Sequence, residues 1–205
     1  TDAEGRSQFT VTAKTNSGVG FLYPLDISYN STVGPDFESI LFTTSGREGW
    51  GDPVEKRVEF LKEEGVSKYY NKGALRNTVS VTPDVLDPIS VIYYFRQKPL
   101  PEPGDETSFK VADGKRVADG KLKALSREKI KTPLGEFDTI KVEPEMKGVK
   151  GIFGKSPDAH MYIWFTDDEK RLMVKMVSEV SVGSFTALLV KVSSPAPPPV
   201  LQRAP

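Results

Sequence analysis

Apolar and polar side chains alternate with a period of two along most of this 205-residue chain. Successive side chains of a β-strand point to opposite faces, so the alternation predicts strands with one buried face and one wet face. The segments that show it are rich in β-branched and aromatic residues, which favour strands over helices. They are residues 8–14, 39–43, 56–61, 66–70, 108–111, 121–125, 138–142, 161–165, 172–177 and 185–190.

Residues typical of tight turns separate these segments. They are Asp113-Gly114, Asp119-Gly120, Leu134-Gly135-Glu136 and Thr166-Asp167-Asp168-Glu169, with a loop expected over 49–53. Strands joined by such short connections form antiparallel hairpins and not the long crossovers of a parallel sheet. The sequence therefore predicts a mainly β fold, in which a single curved antiparallel sheet forms one domain over residues 1–192.

One segment, residues 82–96, interrupts the alternation. Asp87 is a suitable N-cap residue and Pro88 a suitable first helical residue. Residues 89–95 leave almost no polar face, and a helix that is apolar all round must be buried. We expect one short buried helix against the concave side of the sheet; a buried strand is the competing interpretation of the same residues.

Composition excludes several classes of protein. The 28 basic and 28 acidic side chains balance, whereas a nucleic-acid-binding protein needs a basic surplus. The absence of cysteine rules out disulfides, thiolate nucleophiles and Cys-based metal sites. The longest apolar runs are too short for a transmembrane helix. The polar opening Thr1–Gly5 is typical of the stretch after a cleaved leader, so we expect an exported, periplasmic protein.

A set of motifs in the second half of the chain resembles one bacterial family. The motifs are residues 87–96, 103–105, 111–114, 127–130, 135–137 and 163–172. In order and spacing they resemble the exported proteins catalogued as domain of unknown function 3108. The resemblance implies a periplasmic or lipid-anchored protein and a half-barrel similar to the Lol-type lipoprotein carriers, with a helix on its concave side. It supplies no catalytic residues, and the sequence has no lipobox cysteine for an anchor.

Candidate catalytic residues are few. His160 is the only histidine, no Gly-x-Ser-x-Gly motif accompanies it, and we interpret it as a surface residue. Asp167 and Asp168 suit a hairpin turn better than a calcium site or a catalytic pair. A glycan hydrolase using Asp167, Asp168 or Glu128 would need two carboxylates that face each other across a cleft. We therefore expect no enzyme activity, no cofactor and no metal site.

Two binding functions remain. The first is a hydrophobic ligand, such as a lipid, an acyl chain or a lipoprotein moiety, held between helix and sheet. Its candidate residues are Ile92, Tyr93, Phe95 and Trp164, together with Ile152 and Phe153 on a glycine-rich hairpin tip. The alternative is a structural or assembly component that binds another envelope protein through sheet edges. Its candidate residues lie in a Pro-rich tail over 193–205: Pro195, Pro197, Pro198 and Pro199.

Overall fold

The computed structural model describes residues 2–15, 24–146, 160–179 and 184–192. Within these ranges the chain forms twelve strands and one helix. Their bounds are β1 (Ser7–Lys14), β2 (Leu25–Val33), β3 (Ser39–Glu48), β4 (Val54–Leu61), β5 (Val66–Asn71), β6 (Ala74–Ser80), α1 (Ser90–Gln97), β7 (Glu106–Ala112), β8 (Val117–Thr132), β9 (Gly135–Met146), β10 (Met161–Thr166), β11 (Met173–Glu179) and β12 (Ser184–Leu188).

The strands form two antiparallel sheets of six strands each, and in both sheets neighbours in sequence are neighbours in space. The first sheet runs from β1 to β6 and the second from β7 to β12. The mainly β, antiparallel architecture with one short helix is confirmed. The prediction of a single sheet is wrong in this detail, because the connection that carries α1 separates β6 from β7 and these two strands do not pair.

Helix α1 packs against both sheets and joins their cores. Tyr93 stacks on Phe9 of β1 with the ring centroids 3.9 Å apart. Phe95 meets Phe109 of β7 edge to face, at 5.4 Å. Below, the face of each sheet that packs on α1 is its inner face and the opposite one its outer face. Contacts to both inner faces explain why an almost wholly apolar helix is stable here.

Asp87 begins the helix. One carboxylate oxygen, Oδ1, accepts hydrogen bonds from the backbone N–H groups of Ile89 at 2.8 Å and Ser90 at 3.0 Å. The Asp87 carbonyl oxygen accepts the N–H of Val91 at 3.2 Å. These are the bonds of an N-cap residue, although the regular helical geometry starts at Ser90. The prediction that Asp87 caps the helix is confirmed.

The same carboxylate ties the helix to the first sheet. Its other oxygen, Oδ2, accepts the hydroxyl protons of Ser31 in β2 at 2.6 Å and Ser39 in β3 at 2.8 Å. Asp87 is fully buried, and this burial raises its pKa, while the hydrogen bonds from Ser31, Ser39 and the helix N-terminus oppose the rise. All the buried acceptors of Asp87 are thus engaged, and the helix is held in one orientation.

The turn between β7 and β8 brings the two sheets together at a second place. A Cβ atom on Gly114 would lie 2.6 Å from the Val58 side chain of β4, so only glycine fits this contact. Asn77 of β6 donates side-chain hydrogen bonds to the carbonyl oxygens of Gly114 at 3.4 Å and Lys115 at 3.0 Å. The predicted Asp113-Gly114 turn is therefore confirmed and also serves as a docking point.

Residues 119–120 do not form the predicted turn. Asp119 and Gly120 lie inside the long strand β8, where Gly120 pairs with Phe109 of β7. A Cβ atom on Gly120 would lie only 2.4 Å from the nearest atom of the Phe109 ring, so the ring takes the place of a side chain here. A glycine inside a strand often marks such a close approach. Strands β2 and β6 were not predicted, because their polar residues hide the alternation.

Candidate functional site

The space between α1 and the sheets is filled by side chains. Ile92 is 5% exposed and Phe95 2% exposed, while Tyr93 is half-buried beneath Phe9. These three predicted ligand-binding residues do lie together. In the described structure, however, they pack on one another and on the two inner faces as a hydrophobic core.

Trp164 lies on the opposite side of the second sheet. Its neighbours Ile163 and Phe165 face α1 across the inner face, whereas Trp164 packs with Ile130 and Val174 on the outer face. Successive residues of a strand alternate in direction, so Trp164 and the helix cannot line one cavity. Trp164 is therefore not part of a site with Ile92, Tyr93 and Phe95.

The other predicted binding residues lie outside the described residues. These are Ile152 and Phe153 of the glycine-rich segment and Pro195, Pro197, Pro198 and Pro199 of the Pro-rich tail.

A groove of about 530 Å³ opens at the β7–β8–β9 part of the second sheet. Most of its lining residues carry charged side chains, and none belongs to the helix. The lining residues are Asp84, Ser108, Phe109, Lys110, Asp119, Gly120, Lys121, Lys123 and Glu145. We refer to it below as the charged groove. A concave surface with this many charged side chains suits a polar ligand or partner.

Each lysine of the charged groove is paired with a carboxylate on a neighbouring strand. Lys110 contacts Asp119 at 2.7 Å, and Lys123 contacts Glu145 at 2.6 Å. Lys121 pairs with Glu106 of β7. The hydrogen bond that Lys110 donates to Asp119 raises the pKa of Lys110, and the one that Lys123 donates to Glu145 raises the pKa of Lys123. Exposed ion pairs of this kind add little to the stability of the fold. A partner can therefore break them and form its own ion pairs with the same side chains at small cost.

A row of three ring side chains crosses the same outer face on β10. The His160 and Tyr162 rings stack at 6.2 Å, and Tyr162 meets Trp164 edge to face at 6.3 Å. His160 Nδ1 lies 2.6 Å from Glu143 Oε1, which makes His160 an exposed, hydrogen-bonded residue. Trp164 Nε1 donates to Glu128 Oε1 at 3.0 Å. Glu128 is thus engaged in holding the indole.

Two lysines cover these rings. The Lys141 ammonium lies 4.1 Å from the centre of the Tyr162 ring, and the Lys175 ammonium lies 4.4 Å from that of Trp164. A cation held over an aromatic face is attracted by the ring electrons. The aliphatic stems of such lysines also shield the ring from water, which accounts for the 4% exposure of Trp164 on an outer face.

Asp167 and Asp168 form the predicted turn. Asp168 Oδ1 accepts hydrogen bonds from Thr166 Oγ1 at 2.6 Å and from the backbone N–H of Lys170 at 3.0 Å. The Thr166 bond is the main cause of a lowered pKa at Asp168. Asp167 Oδ2 accepts a bond from Arg127 Nε at 2.8 Å. Both carboxylates thus have structural partners, and Arg127 links this turn to β8.

No cluster of three or more His, Asp or Glu side chains in the described ranges is arranged to hold a metal ion. Among the described residues, no helix combines the length and the hydrophobicity needed to span a bilayer.

The charged groove was not predicted from the sequence, although a signal for it exists. Lys and Asp or Glu recur at every second position over 119–123, where the inner positions are small or apolar. By itself, this pattern predicts only the solvent-exposed face of a strand. The loop that carries Asp84 lies beside the charged row and completes the groove. Nothing in the local sequence predicts that this loop lies beside β7.

Comparison with known proteins places the chain in a family. A crystal structure described as a beta-barrel-like protein of domain of unknown function DUF1849, from Brucella abortus, is similar with a TM-score of 0.55. Sequence identity is 10%, and the match covers 90% of this chain and 80% of that chain, so the likeness concerns the fold alone. A search of curated proteins finds no match. The family described as "Protein of unknown function (DUF3108)" matches residues 4–190, and the chain belongs to it.

Proposed function

We propose that this chain is a non-enzymatic, exported envelope protein that binds another envelope protein on the outer face of its second sheet. One observation carries the proposal. Ile92 and Phe95 are buried in the core beside the sheets, whereas the charged groove at β7–β9 is lined by no residue of the helix. Export is inferred from the family resemblance of motifs such as residues 87–96 and 163–172.

The groove suits a protein partner for two reasons. Its lysines and carboxylates sit in exposed pairs that can re-form across an interface, which gives specificity more than raw affinity. The exposed His160 ring and the partly exposed Tyr162 ring share the outer face with the groove, and aromatic residues are enriched at protein interfaces. The zero net charge gives no general attraction to nucleic acid or to an anionic membrane.

A hydrophobic ligand beside the helix is the second candidate, motivated by the apolar surface of α1. Such a ligand would have to displace buried side chains such as Ile92 and Phe95. Exposing one side chain of this size costs about 1.5–3 kcal/mol. The ligand would have to offset that cost before any net binding. The filled interior therefore favours the protein partner.

Site-directed photo-crosslinking tests the proposal in the producing bacterium. A photoreactive amino acid replaces Lys121 in the charged groove, and a matched control replaces Glu55, an exposed residue on the outer face of the first sheet. We expect one discrete envelope-protein adduct at Lys121 and none at Glu55. Equal patterns at the two positions, or no adduct at either, would refute a partner site in the groove.

Native mass spectrometry of detergent-free periplasmic protein separates the two candidates. The protein-partner proposal predicts the mass of the bare chain once the partner is removed. A discrete additional mass that extracts into solvent as lipid, and is lost in the Phe95→Ala variant, would favour the hydrophobic ligand instead.

A further inference from the structure

The backbone of β7 has one edge without a full strand partner. β7 is the last strand of the second sheet and pairs only with β8 along its length. At the far edge, Leu86 forms an isolated bridge: its N–H donates to the Lys110 carbonyl oxygen, and its carbonyl oxygen accepts the Ala112 N–H, both at 2.9 Å. Leu86 thus covers the C-terminal end of this edge.

These two bonds reveal the direction of every backbone group in β7. In a strand, the N–H and C=O groups of alternate residues point to the same edge. Since Lys110 and Ala112 point away from β8, Glu106 and Ser108 do as well. Thr107 and Phe109 instead point to β8. The N–H and C=O groups of Ser108, the carbonyl of Glu106 and the N–H of Lys110 therefore face an edge with no neighbouring strand in the described structure.

The open part of the edge coincides with the charged groove. Ser108 is exposed, lines the groove and carries two of the outward-facing backbone groups. Asp84, on the loop before Leu86, lines the groove on the far side of this edge. A peptide strand lying beside Glu106–Ser108 would therefore pair with backbone and place alternate side chains in the groove.

We propose that the N-terminal half of β7 is a docking edge, to which a basic extended segment of a partner protein adds as a further strand. The inference rests on the proposed function and specifies how that partner binds. Charge selects the partner. Asp84 and Asp105 are exposed beside this edge and make no ion pair with any described residue, and Glu106 lies next to them.

The edge also carries lysines, which proteins use to prevent unwanted strand pairing. Lys110 and Lys121, however, form their ion pairs with Asp119 and Glu106, not with Asp84 or Asp105. A strand with alternating Lys or Arg would complement this edge, whereas an acidic strand would be repelled.

Peptide titration by NMR tests the docking edge on the full chain. The probes are the blocked peptides Lys-Val-Lys-Val-Lys and Glu-Val-Glu-Val-Glu, and a Lys-Val-Lys-Val-Lys form with N-methylated valines. At saturation we expect the basic peptide to slow amide hydrogen exchange at Ser108 and Lys110 by about tenfold or more. Thr107 and Phe109, already bonded to β8, should change little. Protection by all three peptides alike, or by none, would overturn the inference.

Two proline variants test the direction of the backbone groups. Proline is tolerated at a strand edge only where the lost N–H points away from the sheet. Ser108→Pro should keep the fold and lose peptide binding, whereas Thr107→Pro should lose a bond to β8 and lower the melting temperature. Equal destabilisation by both variants would overturn the assignment of the open edge.

The two levels of the proposal fail in different ways. If Ser108→Pro abolishes peptide binding and also the crosslinked adduct at Lys121, the partner site in the groove and the added strand at the β7 edge are both supported. If the adduct survives in Ser108→Pro, the partner still binds in the groove but not as an added strand. If the basic peptide binds at Ser108 while no adduct forms at Lys121, the edge accepts a strand and the proposed cellular partner is refuted.

Discussion

Removal of the Asp87 carboxylate should destabilise the fold more than its small size suggests. Asp87→Ala leaves the backbone N–H groups of Ile89 and Ser90 without their acceptor in a fully buried place. Each unsatisfied buried donor costs about 1–3 kcal/mol. The hydroxyls of Ser39 and Ser90, 3.0 Å apart, can still bond to each other. The expected loss in unfolding free energy is therefore about 2–6 kcal/mol.

Asp87→Asn is the matched control. The asparagine carbonyl oxygen can accept the same two helix N–H groups, and its NH2 group can donate to Ser31 and Ser39 after their hydroxyls rotate. We expect this variant to lose less than about 1.5 kcal/mol. Urea denaturation at pH 4, followed by circular dichroism, measures both variants. A loss below about 1 kcal/mol for Asp87→Ala would refute the structural role of the carboxylate.

A comparison of the native chain with the Asp87→Asn variant reports on the pKa of the buried Asp87 carboxyl group. Burial raises the pKa of Asp87 above its usual value of 3.8, so the folded state holds this proton more tightly than the unfolded state. The associated stability is fully present below pH 3.8 and is lost as pH rises through the folded-state pKa. The stability of the native chain relative to Asp87→Asn should therefore fall with rising pH, by up to about 1.4 kcal/mol per unit. Parallel pH profiles would show that the pKa is not raised.

Further variants test the packing. Gly120→Ala should lower the free energy of unfolding by about 1–3 kcal/mol, because its methyl group would meet an aromatic ring. The control is Gly51→Ala, where no atom lies within 4 Å, and it should change the free energy of unfolding by less than about 0.5 kcal/mol. Urea denaturation measures both variants. Equal effects would contradict the close contact. Trp164→Phe removes a packed indole and its hydrogen bond to Glu128, so the free energy of unfolding should fall by about 1–3 kcal/mol. Trp50→Phe changes a side chain that is 72% exposed and should lower it by less than about 0.5 kcal/mol. Fluorescence of the two variants checks the assignment: emission should be blue-shifted when only Trp164 remains and red-shifted when only Trp50 remains.

Much of the local structure could be predicted because its causes are local. Asp87 starts the helix through bonds to residues two to four positions away. The Asp167-Asp168 turn likewise depends on bonds within a few residues. Strand alternation could also have placed Trp164 on the face opposite Ile163 and Phe165, which the choice of ligand-binding residues overlooked. The prediction of a glycine turn at Gly120 was wrong because the ring that replaces its side chain comes from another strand.

The strand-rich class, the direction of most side chains and the burial of the helix can all be predicted from the sequence, since they follow from a period of two and from one apolar segment. The division of the strands into two sheets, the position of the helix against both of them and the groove at β7–β9 appear only in the folded structure. These features depend on contacts between distant segments, such as Asp87 with Ser31 or Leu86 with Lys110. Such contacts form wherever burial and hydrogen bonding of the whole chain are best satisfied, and no local pattern encodes them.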